Sequence, residues 1–119
     1  MDVSRQEALD LLHKWWDESR VIHCSLLTRD AKAKMPGRID SLDGARVHLS
    51  QMRSPYPLGS ANFIDFSITD SFFDYQDAAH TSQSIRDALV GYDSLLTIYG
   101  HDITVALAVL PPLDDFAKL

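Results

Sequence analysis

The stretch from Gly37 to Leu49 constrains the fold more than any other part of the chain. Polar and apolar residues alternate on both sides of an Asp43-Gly44 corner, a pair typical of tight hairpin turns. Because successive side chains of a strand point to opposite faces, the pattern predicts two antiparallel strands that share one apolar face. Pro36, just before Gly37, lacks an amide donor and predicts a bend or an edge position in the first strand.

An amphipathic helix is predicted before these strands. Ser4 and Glu7 have the spacing of a capping box, and an apolar stripe follows at helical spacing. The stripe consists of Ala8, Leu11, Leu12, Trp15 and Trp16. Two tryptophans carry a large apolar area, so we expect the helix to lie over the open end or face of a barrel. The alternative use of an exposed indole is as a stacking platform for nucleic-acid bases.

The rest of the chain predicts further short strands, so the expected fold is all-β and mainly antiparallel. It is a small, strongly bent barrel with an N-terminal amphipathic α-helix and a short insertion helix. Apolar residues make up 45% of the chain and charged residues 24%, which fits one globular domain. The predicted parts are the helix at 1–19, a bent hairpin region at 20–50, an insertion with a strand and a short helix at 51–93, a C-terminal hairpin at 94–112 and a tail at 113–119.

The charge of the chain is uneven. Its formal net charge is −6, yet residues 29–53 contain six basic and three acidic side chains, which leaves −9 for the remainder. An acidic chain argues against general electrostatic binding of nucleic acid, whereas a local basic patch can meet an anionic ligand or a protein. The alternative is an ordinary solvated surface. The candidate ligand-binding residues are Lys32, Lys34, Arg38, Arg46, Tyr99 and His101.

Cys24 is the only cysteine, so the chain forms no internal disulfide. No apolar run approaches the roughly 18 residues that span a bilayer, and the first residues lack a secretion signal. We therefore expect a cytoplasmic protein without a membrane partner. An incomplete barrel leaves unpaired strand edges, which predicts a homo-oligomer through those edges.

Two local runs resemble the Sm-like proteins, especially the bacterial RNA chaperones. Residues 37–43 (GRIDSLD) are similar to the first Sm motif, and residues 98–105 (IYGHDITV), with Tyr99 and His101, are similar to the second. The resemblance implies a related small barrel and a ring that binds RNA. Arg46 and Val47 stand where that family has an asparagine-like base-reading side chain, so RNA binding is less strongly implied than the barrel.

The corner at 41–47 (SLDGARV) also resembles PilZ domains, which sense a cyclic dinucleotide. That resemblance implies two arginines four residues apart upstream. Here Arg20 is followed by Cys24, and Arg29 by Ala33. Bidentate guanidinium contacts cannot be replaced by these side chains, so the implied nucleotide site is degenerate.

The strongest metal-binding hypothesis rests on four residues that lie close together in the sequence. They are Asp70, Asp74, Asp77 and His80. Carboxylate oxygens suit hard cations, but this spacing matches neither the EF-hand nor the HExxH pattern. A solvated strand end is the simpler interpretation.

Histidines offer a second route to chemistry. His23, His48 and His101 fall on or beside predicted strands and could support acid–base catalysis, but their spacing specifies nothing. Ser41 with His48 lacks the third member of a triad. We therefore predict no catalytic residue, no metal site and no cofactor. The expected function is a non-enzymatic, self-associating binding module of unknown ligand, with an RNA-binding Sm-like protein or a degenerate cyclic-dinucleotide sensor as alternatives.

Overall fold

The structure is a computed structural model that describes residues 1–51, 63–77 and 91–111. Its elements are β1 (Asp2–Val3), α1 (Arg5–Asp17), β2 (Ile22–Thr28), β3 (Lys32–Asp43), β4 (Arg46–Gln51), β5 (Phe63–Ser67), β6 (Phe72–Asp77), β7 (Ser94–Tyr99) and β8 (Ile103–Val109). The predicted all-β class with an N-terminal helix is confirmed. The predicted short helix at 85–90 and tail at 113–119 lie outside the described residues. Within the described ranges, no helix is long and apolar enough to cross a membrane.

The strands form one sheet in the order β1-β6-β7-β8-β2-β3-β4-β5, and every neighbouring pair is antiparallel. In the described part of the chain β1 and β5 do not pair with each other, so the sheet is open where the sequence predicted a barrel. The two-residue strand β1 pairs only with Phe73 and Asp74 of β6, so it presents too little backbone to complete a ring. The C-terminal hairpin of β7 and β8 is confirmed.

β3 is the bent strand that the sequence predicted. It pairs with β2 through Gly37 and with β4 from Gly37 onward, with a register shift between Ile39 and Ser41. A Cβ on Gly37 would lie 2.5 Å from the Ser50 carbonyl oxygen, so this crossing requires glycine. Gly44, at φ +59°, occupies the first central position of the turn into β4, where a side chain is disfavoured.

Helix α1 closes one face of the sheet. Its capping box is present, with Ser4 and Glu7 bonding each other's backbone amides. Leu12 and Trp15 are buried in the core, and Trp16 packs against it half-buried. The helix contacts both β3 and β6. Thirteen residues of helix measure about 20 Å, close to the four strand spacings between these strands, so α1 spans the inner face of the sheet.

Arg20 joins the end of the helix to the C-terminal hairpin. Its side chain is 5% exposed and binds Asp93 at 2.7 Å and Glu18 at 2.9 Å. The guanidinium also donates to the carbonyl oxygen of Leu110. Burial disfavours its charge, but the hydrogen bonds that the guanidinium donates to Asp93 and Glu18, together with the charges of those carboxylates, outweigh burial and raise the pKa of Arg20 above its ordinary value. Since these contacts connect the end of α1 with Asp93 and Leu110 at the two ends of the C-terminal hairpin, we assign Arg20 a structural role.

Candidate binding surface

The outer face of the sheet, opposite α1, carries the main candidate site. Strands β7, β8 and β2 lie next to one another in the centre of the sheet, and the pleat directs every second residue outward. None of these outward residues carries a formal charge at pH 7. We call this surface the uncharged face. It consists of Leu95, Thr97, Tyr99, Thr104, Ala106, Ala108, His23, Ser25 and Leu27.

Large apolar side chains remain exposed along one row of this face. Phe72 on β6 pairs with Tyr99, and across β8 the row continues to Leu27 on β2. These side chains are 79%, 48% and 54% exposed, respectively. Their exposure on adjacent strands forms a row of apolar surface, whereas isolated exposed apolar residues are common and need no explanation.

The next row of the uncharged face is flat. Thr97, Ala106 and Ser25 are register partners on β7, β8 and β2. Their side chains are small, so another surface can approach the backbone closely here. The same row ends in charges on both sides, Asp74 on β6 and Lys34 on β3.

A shallow groove of about 430 Å³ lies at the end of the face nearest His23. Ala106 and Ala108 line it, and Lys34 and Pro36 lie on its β3 side. His23 Nδ1 lies 2.9 Å from the Tyr92 hydroxyl, and the two rings meet edge to face. The groove offers small apolar surfaces together with a few polar groups, so it can accommodate a side chain of a docked partner.

The structure separates the predicted ligand-binding residues. Lys32, Lys34 and Arg38 alternate along the outward side of β3, as predicted. Arg46 lies beyond the register shift of β3, on β4, where its Nη1 forms an ion pair with Asp65 at 3.2 Å. The four basic residues therefore do not form one compact cluster.

Tyr99 and His101 also separate. Tyr99 belongs to the uncharged face, whereas His101 is exposed in the turn between β7 and β8, 3.3 Å from the carboxylate of Asp102. Two residues of one sequence motif, at 98–105, thus lie on different surfaces, Tyr99 on the sheet face and His101 in the turn. Only Tyr99 lies on the candidate surface.

Strands β3, β4 and β5 carry a polar network on their outer side that the sequence analysis missed. His48 contacts Asp65 at 3.1 Å and Asp40 at 3.8 Å, and its ring stacks on Phe63. The Ser50 hydroxyl donates a hydrogen bond to Asp40. Every polar member of this network has a partner within the network. The Ser50 hydroxyl bonds the Asp40 carboxylate and not the His48 imidazole, so these side chains are not arranged to activate a nucleophile.

The acidic group proposed as a metal site is dispersed. Asp70 lies in the turn before β6, with φ +56°. Asp74 binds the Met1 ammonium at 2.8 Å; this hydrogen bond lowers the pKa of the Asp74 carboxyl, against a smaller opposing effect of burial. Asp77, three residues along the strand, has the opposite parity and faces the other side of the sheet. His80 lies outside the described residues, and the described ones contain no group of three or more metal-binding side chains.

Comparison of the chain with protein-family models, with curated proteins and with solved structures gives no match. The residues and surfaces of the chain itself are therefore the basis for its function.

Proposed function

We propose that the protein is a non-enzymatic binding module that associates with copies of itself, and that the uncharged face carries this contact. The supporting observation is the composition of that face: nine outward positions on three adjacent strands without a charged side chain. An antiparallel sheet face in contact with water normally carries polar and charged residues. The neighbouring outer surface of β3, β4 and β5 follows that pattern.

The charge of the chain favours this surface for association between identical copies. Two copies with a net charge of −6 each repel one another in general, and charge repulsion is smallest where the contacting surfaces are uncharged. Exposed Leu27, Tyr99 and Phe72 supply the apolar area that association removes from water. A face-to-face contact therefore combines low repulsion with hydrophobic gain.

Strand-edge association, which the sequence predicted, is the competing route. In the described residues β5 pairs only with β4, and Phe63 on this edge strand is 60% exposed. An added strand at β5 would use backbone hydrogen bonds and not the uncharged face. The two routes involve different exposed apolar side chains, Leu27 and Phe63, and can be separated by mutation.

Binding of RNA or a cyclic dinucleotide is the alternative function. It has weaker support because Arg46 is paired with Asp65 and the basic residues are dispersed. We expect no salt-sensitive binding of short single-stranded RNA and no heat of binding with the cyclic dinucleotide. Saturable binding of either ligand that Lys32→Ala and Lys34→Ala weaken would favour the alternative.

The association is tested by sedimentation velocity over a concentration range from 1 μM to 1 mM. We expect a reversible dimer. Leu27→Asp should weaken its Kd at least tenfold, because the carboxylate would lose water in the contact. Phe63→Asp is the matched control, with the same charge change at a side chain of similar exposure, and should leave Kd within about twofold. A monomer throughout the range, or a dimer that only Phe63→Asp disrupts, would contradict the proposal.

A further inference from the structure

We infer that the second copy docks face to face about a twofold axis that runs along β8. This inference rests on the proposed self-association and adds which residues meet. Its basis is the sequence of outward residues across the five strands β6, β7, β8, β2 and β3. In two of the three rows, residues at equal distances on the two sides of β8 have complementary side chains.

A twofold axis in the contact plane, parallel to β8, exchanges the two sides of the face. The middle row runs Asp74, Thr97, Ala106, Ser25, Lys34 in register. Rotation about β8 places Ala106 opposite the partner's Ala106, and Thr97 opposite the partner's Ser25. It also places Lys34 over the partner's Asp74. By symmetry, Asp74 lies over the partner's Lys34.

The neighbouring row behaves in the same way. It runs Phe72, Tyr99, Thr104, Leu27, Lys32 in register. The rotation sets Tyr99 against the partner's Leu27 and Lys32 over the ring of the partner's Phe72. The first is an apolar contact and the second a cation–π contact, and each occurs twice. Exposed Phe72, which has no role in the core, acquires a partner in this arrangement.

A rotation about a neighbouring strand does not bring these complementary side chains together. An axis along β7 brings Asp74 to the partner's Ala106 and leaves Lys34 beyond the contact. An axis along β2 brings Lys34 to the partner's Ala106 and leaves Asp74 outside. Among these axes, only β8 sets Lys32 over the partner's Phe72 and Lys34 over the partner's Asp74, which also binds the Met1 ammonium of its own chain. Complementarity over both rows therefore selects this axis.

The size of the contact predicts a weak dimer. Five strands at about 4.8 Å and three outward rows give a patch of roughly 19 by 13 Å between Cα atoms. That is smaller than the surface of about 800 Å² per partner in a standard stable interface. Because each sheet twists, the two faces match best near β8 and separate outward. We therefore expect a dissociation constant in the micromolar range.

Charge reversal tests the register. Lys34→Glu alone and Asp74→Lys alone each place like charges together twice in a homodimer, and each should weaken Kd about tenfold. In an equimolar mixture the substituted position 34 of one chain meets the substituted position 74 of the other, and the remaining pair is native. The mixture should therefore form a heterodimer with near-native affinity. Lys14→Glu, on the exposed side of α1, carries the same charge change away from the face and should have no effect.

Cross-linking gives a second test that does not depend on Asp74, whose carboxylate also holds the Met1 ammonium. Thr104→Cys lies on the proposed axis, so a short bismaleimide should join two copies efficiently. Ser67→Cys, exposed on β5, is the matched control and should give little dimer. A protein that is monomeric at all concentrations overturns both proposals. A dimer that shows no rescue in the mixture and no preferential cross-link at position 104 overturns this register alone.

Discussion

The two sides of the three central strands have the same backbone and different roles. Inward, Leu96, Leu107 and Cys24 form a row that is buried beneath α1. Outward, the next row consists of Thr97, Ala106 and Ser25, and α1, the helix within residues 1–51, 63–77 and 91–111, lies on the opposite face. Both rows lack charge, although only the first is buried in the core. An uncharged row is thus explained by burial on one side of the sheet and, in our proposal, by association on the other.

The outer surface of β3, β4 and β5 strengthens this contrast. There, Asp65 holds both Arg46 and His48, and Ser50 bonds Asp40. Side chains that satisfy one another can remain in water without a partner molecule. In the described part of the chain, the nine residues of the uncharged face form no comparable network, and His23 contacts Tyr92 at one end of the face. We therefore assign association to this face and solvation to its neighbour.

The first prediction compares adjacent residues on opposite faces of β2. Burial raises the pKa of the Cys24 thiol from its ordinary value of 9.0 to about 12. At pH 8 the thiolate population of Cys24 should therefore be about a thousandfold lower than that of an unperturbed thiol. In the variant Ser25→Cys, the new thiol should react rapidly with a thiol reagent while Cys24 reacts only on unfolding. Similar reaction rates of the thiols at positions 24 and 25 would contradict the assignment of these residues to a buried and an exposed face.

The second prediction compares two leucines. Leu12→Ala removes a fully buried side chain between α1 and the sheet and should lower the free energy of unfolding by about 2–5 kcal/mol. Leu27→Ala, on the outer face, should change it by less than about 1 kcal/mol and weaken association. Urea unfolding at a concentration where the protein is monomeric provides the measurement. Equal losses would show that Leu27 belongs to the core.

The third prediction concerns the close crossing at Gly37. An added methyl would meet the Ser50 carbonyl oxygen at 2.5 Å and the Met35 side chain at 3.1 Å. We expect Gly37→Ala to cost about 1–3 kcal/mol of unfolding free energy, because the backbone of β4 must shift. Ser25→Ala, on the outer face of the adjacent strand, should be nearly neutral, and urea unfolding measures both variants. A neutral Gly37→Ala would mean that β3 and β4 are farther apart than described.

Local patterns predicted the helix and the hairpins well. Ser4 and Glu7 predicted the start of the helix, and Gly44 predicted the turn between β3 and β4. Both signals depend only on neighbours within a few residues. The open edges of the sheet were not predictable in this way. Closure depends on whether β1 and β5 meet, and the sequence contains no local signal for pairing between distant strands.

The candidate site shows the same limit. The alternation of β7, β8 and β2 was readable, so the absence of charge at their outward positions could have been found by listing each strand's outer residues. Their register could not, since it places Ser25 beside Ala106 across eighty residues of chain. The sequence grouped Arg46 with Lys32 because both are basic, whereas the ion pair with Asp65 became visible only with the pairing of β4 and β5.

The most direct test of the account is an NMR dilution series of the 13.4 kDa chain, following each backbone amide as the protein is diluted from millimolar to low micromolar concentration. We predict concentration-dependent shifts centred on Thr104, Ala106 and Ala108 of β8 and spreading to β7 and β2, with little change on β5. Shifts confined to Phe63–Ser67, or a spectrum that does not change with concentration, would contradict it.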